Sequence, residues 1–173
     1  KWGYTGVALL GGEGEIGEMI HLETQRLVLR DYIFQDEEEY YQLKSNSETM
    51  GRYMQDIMVH SREEAHEEFA RILADAKTLE RVCYFLRAEL KESGQQVGSV
   101  GYTVERRTPV GKLVHAGYFY LPEFWGKGYG TEAFQEVIRF AFQEDGVYRI
   151  STGCRQENQG SRRIMEKCGM VKE

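Results

Sequence analysis

Gly126, Gly128 and Gly130 alternate along the chain, just after an apolar run that ends at Leu121-Pro122 and just before a run with helical spacing. A turn of this kind has a definite chemical use. The first-turn amides of a helix have no intrahelical acceptor, and the helix dipole puts partial positive charge beside them. Glycines remove the Cβ atoms that would keep an anion away from the backbone, so a phosphate or a pyrophosphate fits there. Glycine alternation also serves a plain tight turn, and a variant of it occurs in dinucleotide folds. The dinucleotide pattern needs GxGxxG after the first strand of a parallel βαβ unit. Here the spacing is GxGxG and several strands come first. The GK[ST] of a nucleotide-triphosphate loop is also missing.

A second polar constellation lies downstream. Asn158 and Ser161 stand three apart, which puts both on one face at the start of a helix. That face suits a second part of the same ligand, and Asn158 also suits the helix N-cap. Glu105 and His115 fall near the ends of two neighbouring strand-like runs and are side chains able to move protons. An imidazole titrates near neutral pH unaided, whereas a carboxylate needs its pKa raised or a relaying water. Tyr53, Tyr102 and Tyr118 are candidates to line a pocket nearby.

These residues need a scaffold, and the patterning supplies one. Residues 26–33 alternate as a half-buried strand, with Leu27 and Leu29 on one side and Val28 and Arg30 on the other. Asp36 is placed to cap a helix through Lys44, and a short helical piece is expected over 48–54. Ser61-Arg62-Glu63-Glu64 reads as a capping box opening a helix to about Lys77, with Ala65, Phe69, Ile72, Leu73 and Ala76 as its apolar stripe. Strands are expected over 82–90, 97–105 and 112–121, with turns at Ser93-Gly94 and Pro109-Val110-Gly111. A helix over 128–144 should bury Ala133, Phe134, Val137, Ile138, Ala141 and Phe142. A strand over 147–154 and a helix from Asn158 to Lys167, stopped by Gly169, complete the pattern. The architecture expected is α+β: a largely antiparallel meander, then a β-α-β-α unit.

In order and spacing, three stretches resemble the GNAT superfamily of acetyl-CoA-dependent N-acetyltransferases, in the branch of the ribosomal-protein N-terminal acetyltransferases of RimJ and RimL type. They are ETQRLVLR at 23–30, GYFYLPEFWGKGYGTEA at 117–133 and ENQGSRRIMEKCGM at 157–170. The resemblance covers residues 22–173. It implies a mixed, mostly antiparallel central sheet flanked by helices, and acetyl transfer to a primary amine: a protein N-terminus or a small molecule. It implies that the pantetheine arm lies along backbone groups of Phe119, Tyr120 and Leu121. The pyrophosphate would sit on amides among Gly126, Lys127, Gly128, Tyr129, Gly130 and Thr131, with Trp125 where many relatives carry Gln or Arg. Asn158 matches the family asparagine that faces the cofactor. The family's usual acid tyrosine falls on Met165, which has no proton to give. Ser161 or a bound water takes that role in this reading. Glu105 and His115 are the base candidates, and an amide near Phe119 or Tyr120 is the candidate donor to the thioester oxygen. The alternative is a non-catalytic acyl-CoA-binding module of the same fold.

Residues 1–22 form a separate segment, and 23–173 the acetyltransferase domain. Lys1 to Leu10 reads as a strand and Gly11 to Glu18 as a glycine-rich linker. Relatives continue past the glycine that ends the last helix with two more strands, so the N-terminal strand is expected to replace one of them. It would do so by circular permutation or by exchange between subunits of a homodimer, unless it is a remnant of an upstream region. Bulk properties narrow the partners. A net charge of −6 on 173 residues disfavours nucleic acid and anionic membranes and favours a cationic amine. Three cysteines without CxxC spacing suit reduced thiols in the cytoplasm, and no metal site is expected. There is neither an apolar run of about 18 residues nor a secretory leader pattern.

Overall fold

In the computed structural model, residues 17–173 are described. The expected strand at Lys1 to Leu10 and most of the linker lie outside them. Six strands form one sheet in the order β1 (His21–Glu23), β2 (Leu27–Arg30), β3 (Leu86–Leu90), β4 (Gln96–Thr108), β5 (Gly111–Tyr120) and β6 (Val147–Ser151). The first five are antiparallel neighbours, and β6 joins β5 in parallel. The short turns after β3 and β4 dictate antiparallel pairing, and the crossover helix α3 (Tyr129–Gln143) dictates the parallel pair.

The period-two pattern of β2 holds: Leu27 and Leu29 are fully buried. With Leu86, Val100, Val114 and Phe134 they belong to the main core, between the sheet and helices α3 and α4 (Gln159–Lys167). The buried stripe of α3 is Ala133, Phe134, Val137, Phe140 and Ala141. Phe142, expected inside, is exposed instead. Phe140 lies three residues past Val137 and continues the buried stripe, whereas Phe142 falls off it.

The other sheet face carries α1 (Glu37–Ser45) and α2 (Arg62–Asp75), which meet through Tyr40 and Phe69. The Ser61 side chain accepts the Glu64 N–H as the sequence pattern requires, while the Glu64 carboxylate reaches the His60 N–H. Asp36 does not cap α1 with its side chain. It closes the preceding 3-10 turn by accepting the Ile33 N–H at 2.8 Å and is held by Arg30. The helical piece expected over 48–54 is a run of turns, bonded from Met50 N–H to Asn46 C=O and from Met54 N–H to Met50 C=O. That run delivers Thr49, whose hydroxyl donates to the Tyr120 carbonyl at 3.0 Å, and so ties this face to the end of β5.

Beside β1 lies a buried ion pair. Arg81 grips Asp31 with its guanidinium and donates to the Cys83 carbonyl, while Asp31 also accepts the Ile20 N–H at 2.7 Å. Removing one partner strands the other charge away from water. Arg81→Met should therefore cost about 3–5 kcal/mol in urea unfolding, and a loss under about 1 kcal/mol, the size of an exposed pair, would contradict this placement.

Candidate active site

The site begins where β5 and β6 part. Their pairing runs from Lys112 with Val147 to His115 with Ser151 and goes no further, although β5 continues to Tyr120. Backbone polar groups alternate sides along a strand. The Leu121 N–H bonds the Val97 carbonyl, so residues 117, 119 and 121 turn toward β4. The Ala116 carbonyl accepts from the Thr152 hydroxyl on the β6 side, so Tyr118 and Tyr120 turn toward the gap. Phe119 and Leu121, expected to offer backbone groups to a ligand, are thus turned into the sheet. The backbone groups that face the gap are those of Tyr118 and Tyr120. The Phe119 ring packs on the opposite face with Leu43 and Met50.

The glycine turn lies directly beyond the end of β5. The Trp125 indole N–H donates to the Tyr120 carbonyl at 2.8 Å and fixes the entry to the turn. Gly126 and Gly128 have φ of +72° and +83°, which only glycine adopts without strain. A Cβ on Gly126 would meet nothing within 4 Å, and one on Gly128 would meet only the Arg26 guanidinium. Gly128 is the N-cap of α3, and the first bond of the helix runs from the Glu132 N–H to the Gly128 carbonyl. The amides of Tyr129, Gly130 and Thr131 therefore precede the helical bonding pattern. Open space over Gly126, next to first-turn amides, is a cradle of the right chemistry for a pyrophosphate.

Helix α4 forms the other wall of the gap. The Asn158 side-chain carbonyl accepts the Ser161 N–H at 3.1 Å, which is the N-cap expected of it. The Ser161 hydroxyl lies 2.9 Å from the Tyr118 hydroxyl, which also donates to the Ser161 carbonyl at 3.0 Å. Burial, partly offset by the bond to Ser161, pushes the Tyr118 phenol up to about 12, so it stays protonated at neutral pH. Tyr118 was expected to line an acceptor pocket, and its hydroxyl instead meets α4. Tyr102 is a core residue stacked on Tyr84 and bonded to Asp145. Tyr53 reaches the Glu157 carbonyl and links the turns after α1 to the loop before α4.

The two base candidates lie on neighbouring rungs of β4 and β5. His115 is exposed on the last paired rung, with Nδ1 at 3.2 Å from the Ser151 hydroxyl, at the mouth of the gap. Glu105 falls in a β-bulge between Val104 and Arg106, opposite the start of β5. Val104 pairs with Val114 and Arg106 with Leu113, so Glu105 lies just past Thr103, the partner of His115. The spacing in sequence could not show this, because the bulge and register decide it.

Residues 26–171 match the family described as acetyltransferase (GNAT) domain. The chain belongs to this family. It is similar to the uncharacterized N-acetyltransferase YnaD of Bacillus subtilis, 26% identical over 163 residues covering 89% of this chain and 84% of that protein. It is also similar to a solved GNAT-family acetyltransferase from Bacillus anthracis, with 25% identity, coverage of 89% and 85%, and a TM-score of 0.73. The ribosomal-protein-S5-alanine acetyltransferase of Vibrio fischeri shares the fold at TM-score 0.76 and 18% identity, covering 89% of this chain and 84% of that one. This GNAT chain is accordingly an acetyltransferase, with the α+β sheet expected from its sequence.

One anchor of the GNAT glycine turn escaped the sequence reading. The Glu132 carboxylate accepts from the Thr24 hydroxyl at 2.6 Å, the Arg26 N–H at 2.8 Å and Arg26 Nε at 2.7 Å. An acidic residue in the first turn of a helix was the only available signal, and it is too common to point at a partner 106 residues away. Burial alone would raise the Glu132 pKa, but the bonds from Thr24 and Arg26 outweigh it and hold the carboxyl below its ordinary value. A depressed folded-state pKa stabilises the fold above the unfolded value and loses that contribution as pH falls through the folded one. Stability should therefore drop below about pH 4.3, the ordinary glutamate value. Glu132→Gln should lose about 1–2 kcal/mol at neutral pH and show a shallower acid slope in urea unfolding. An unchanged slope would contradict the assignment.

Proposed function

We propose that this chain transfers an acetyl group from acetyl-CoA to a primary amine by direct attack. The observation that carries the reading is the parting of β5 from β6 beside an open glycine turn. A slot with inward amides thus runs into an anion cradle. Acetyl-CoA supplies an acyl thioester, so C–N bond formation is matched by C–S cleavage. The Tyr118 and Tyr120 amides, on the side of β5 that faces the gap, orient the chain that lies in the slot. Amides from Gly126 to Thr131 hold the pyrophosphate. Asn158 caps the first turn of α4 and faces the cofactor from the far wall of the gap.

His115 takes the proton that the amine loses, through water, from the mouth of the slot. Ser161 gives a proton to the leaving sulfur. Tyr118 orients the Ser161 hydroxyl through their 2.9 Å contact. The acceptor is an amine at a peptide N-terminus or on a small molecule. The Vibrio fischeri relative in fold, named for ribosomal protein S5 and alanine, makes a peptide N-terminus the first class to try. The net charge of −6 favours approach of a cation, and cytoplasm is the compartment proposed from the three free cysteines.

Thiol release from acetyl-CoA should be stimulated by at least one amine in a panel of N-terminal peptides, polyamines and aminoglycosides. Tyr118→Phe should keep acetyl-CoA affinity and lower kcat about 10-fold, with a smaller loss on top of Ser161→Ala because the two hydroxyls act together. Tight acetyl-CoA binding without release across the whole panel would replace the enzyme by a binding module. Full additivity of Tyr118→Phe and Ser161→Ala would sink the shared role.

A further inference from the structure

We infer that Arg26 is a positioning residue for the cofactor: it locks one peptide plane of the glycine turn so that the Gly128 N–H faces the pyrophosphate. The inference rests on the acetyl-CoA reading above. Gly126 and Gly128 free the turn of side chains, but without a Cβ their backbones can also take other orientations than the positive φ seen here. Something must select one orientation before the anion arrives.

Arg26 is placed to do so. Its NH1 donates to the Lys127 carbonyl at 3.0 Å. The peptide bond from Lys127 to Gly128 is trans, so its C=O and N–H point in opposite directions. Holding the Lys127 carbonyl toward Arg26 turns the Gly128 N–H to the other side of the turn. The residue is itself held by three contacts. Nε donates to Glu132, the Arg26 backbone N–H donates to the same carboxylate, and the guanidinium carbon lies 4.3 Å from the centre of the Tyr129 ring. Glu132 and Tyr129 both belong to the first turn of α3. Arg26 therefore joins the entrance of β2, the turn and the start of the helix into one rigid unit.

Arg26 also answers an electrostatic problem. The Glu132 carboxylate sits at the helix end that is to receive an anion, and it would repel a pyrophosphate if left bare. The ion pair with Arg26, with the Thr24 hydroxyl on the same oxygen as the Arg26 N–H, neutralises it in place. A lysine cannot reproduce this arrangement. A single ammonium does not meet a carbonyl, a carboxylate and an aromatic face in one plane.

The test compares ligands with and without the pyrophosphate: coenzyme A and pantetheine, each titrated by NMR into wild-type protein, Arg26→Ala and Arg26→Lys. The side chain of Arg26 is 41% exposed, so both variants are expected to fold. The Kd for coenzyme A should rise about 10-fold or more in Arg26→Ala, as for loss of a charge-assisted hydrogen bond, while that for pantetheine stays within about twofold. Arg26→Lys should fall short of wild type. An unchanged Kd for coenzyme A in Arg26→Ala, equal weakening of both ligands, or full recovery by lysine would each overturn the role. Wild-type protein that binds no coenzyme A would instead defeat the acetyl-CoA reading beneath it.

Discussion

The rest of the site depends on one break in hydrogen bonding. β5 and β6 pair as far as His115 and Ser151, and then β5 goes on alone. An unpaired strand edge in the middle of a fold is costly unless its groups find partners. The protein covers part of the cost itself: the Thr152 hydroxyl takes the Ala116 carbonyl, and Thr49 and Trp125 share the Tyr120 carbonyl. The Tyr118 and Tyr120 amides are what this arrangement leaves directed into the gap. A ligand that lies along β5 like a missing strand would satisfy them.

Both ends of the gap are fixed by elements whose positions follow from core packing. α3 is pinned through Phe134 and Val137, which places its first turn beside the end of β5. α4 leans on the same core through Ile164, whose Cδ1 would lie 2.7 Å from a Cβ on Gly130. Glycine at 130 thus serves packing between the two helices, glycines 126 and 128 serve backbone conformation, and Gly126 also leaves open space. The three alternating glycines look equivalent in sequence and do different work.

The meander, the crossover helix and the glycine turn were legible in the sequence because each rests on local rules: period two, period 3.6, and turn chemistry. So was the N-cap role of Asn158. What stayed hidden depended on register or long-range contact. Strand parity turned the Tyr118 amide toward the gap and the Phe119 amide toward β4, a bulge at Glu105 shifted the β4 register, and Ser161 acquired a phenol partner 43 residues distant. Thr24 and Arg26 could be read as strand-entry residues, but not as the clamp on a helix more than a hundred residues on.

The gap and the turn form one continuous binding surface if acetyl-CoA lies along both. Amide hydrogen exchange, followed residue by residue as acetyl-CoA is added, measures this directly. Protection should appear together at Tyr118, Tyr120 and within Gly126 to Thr131, and β4 should change little. Protection confined to the turn, or absent from both stretches, would contradict the account.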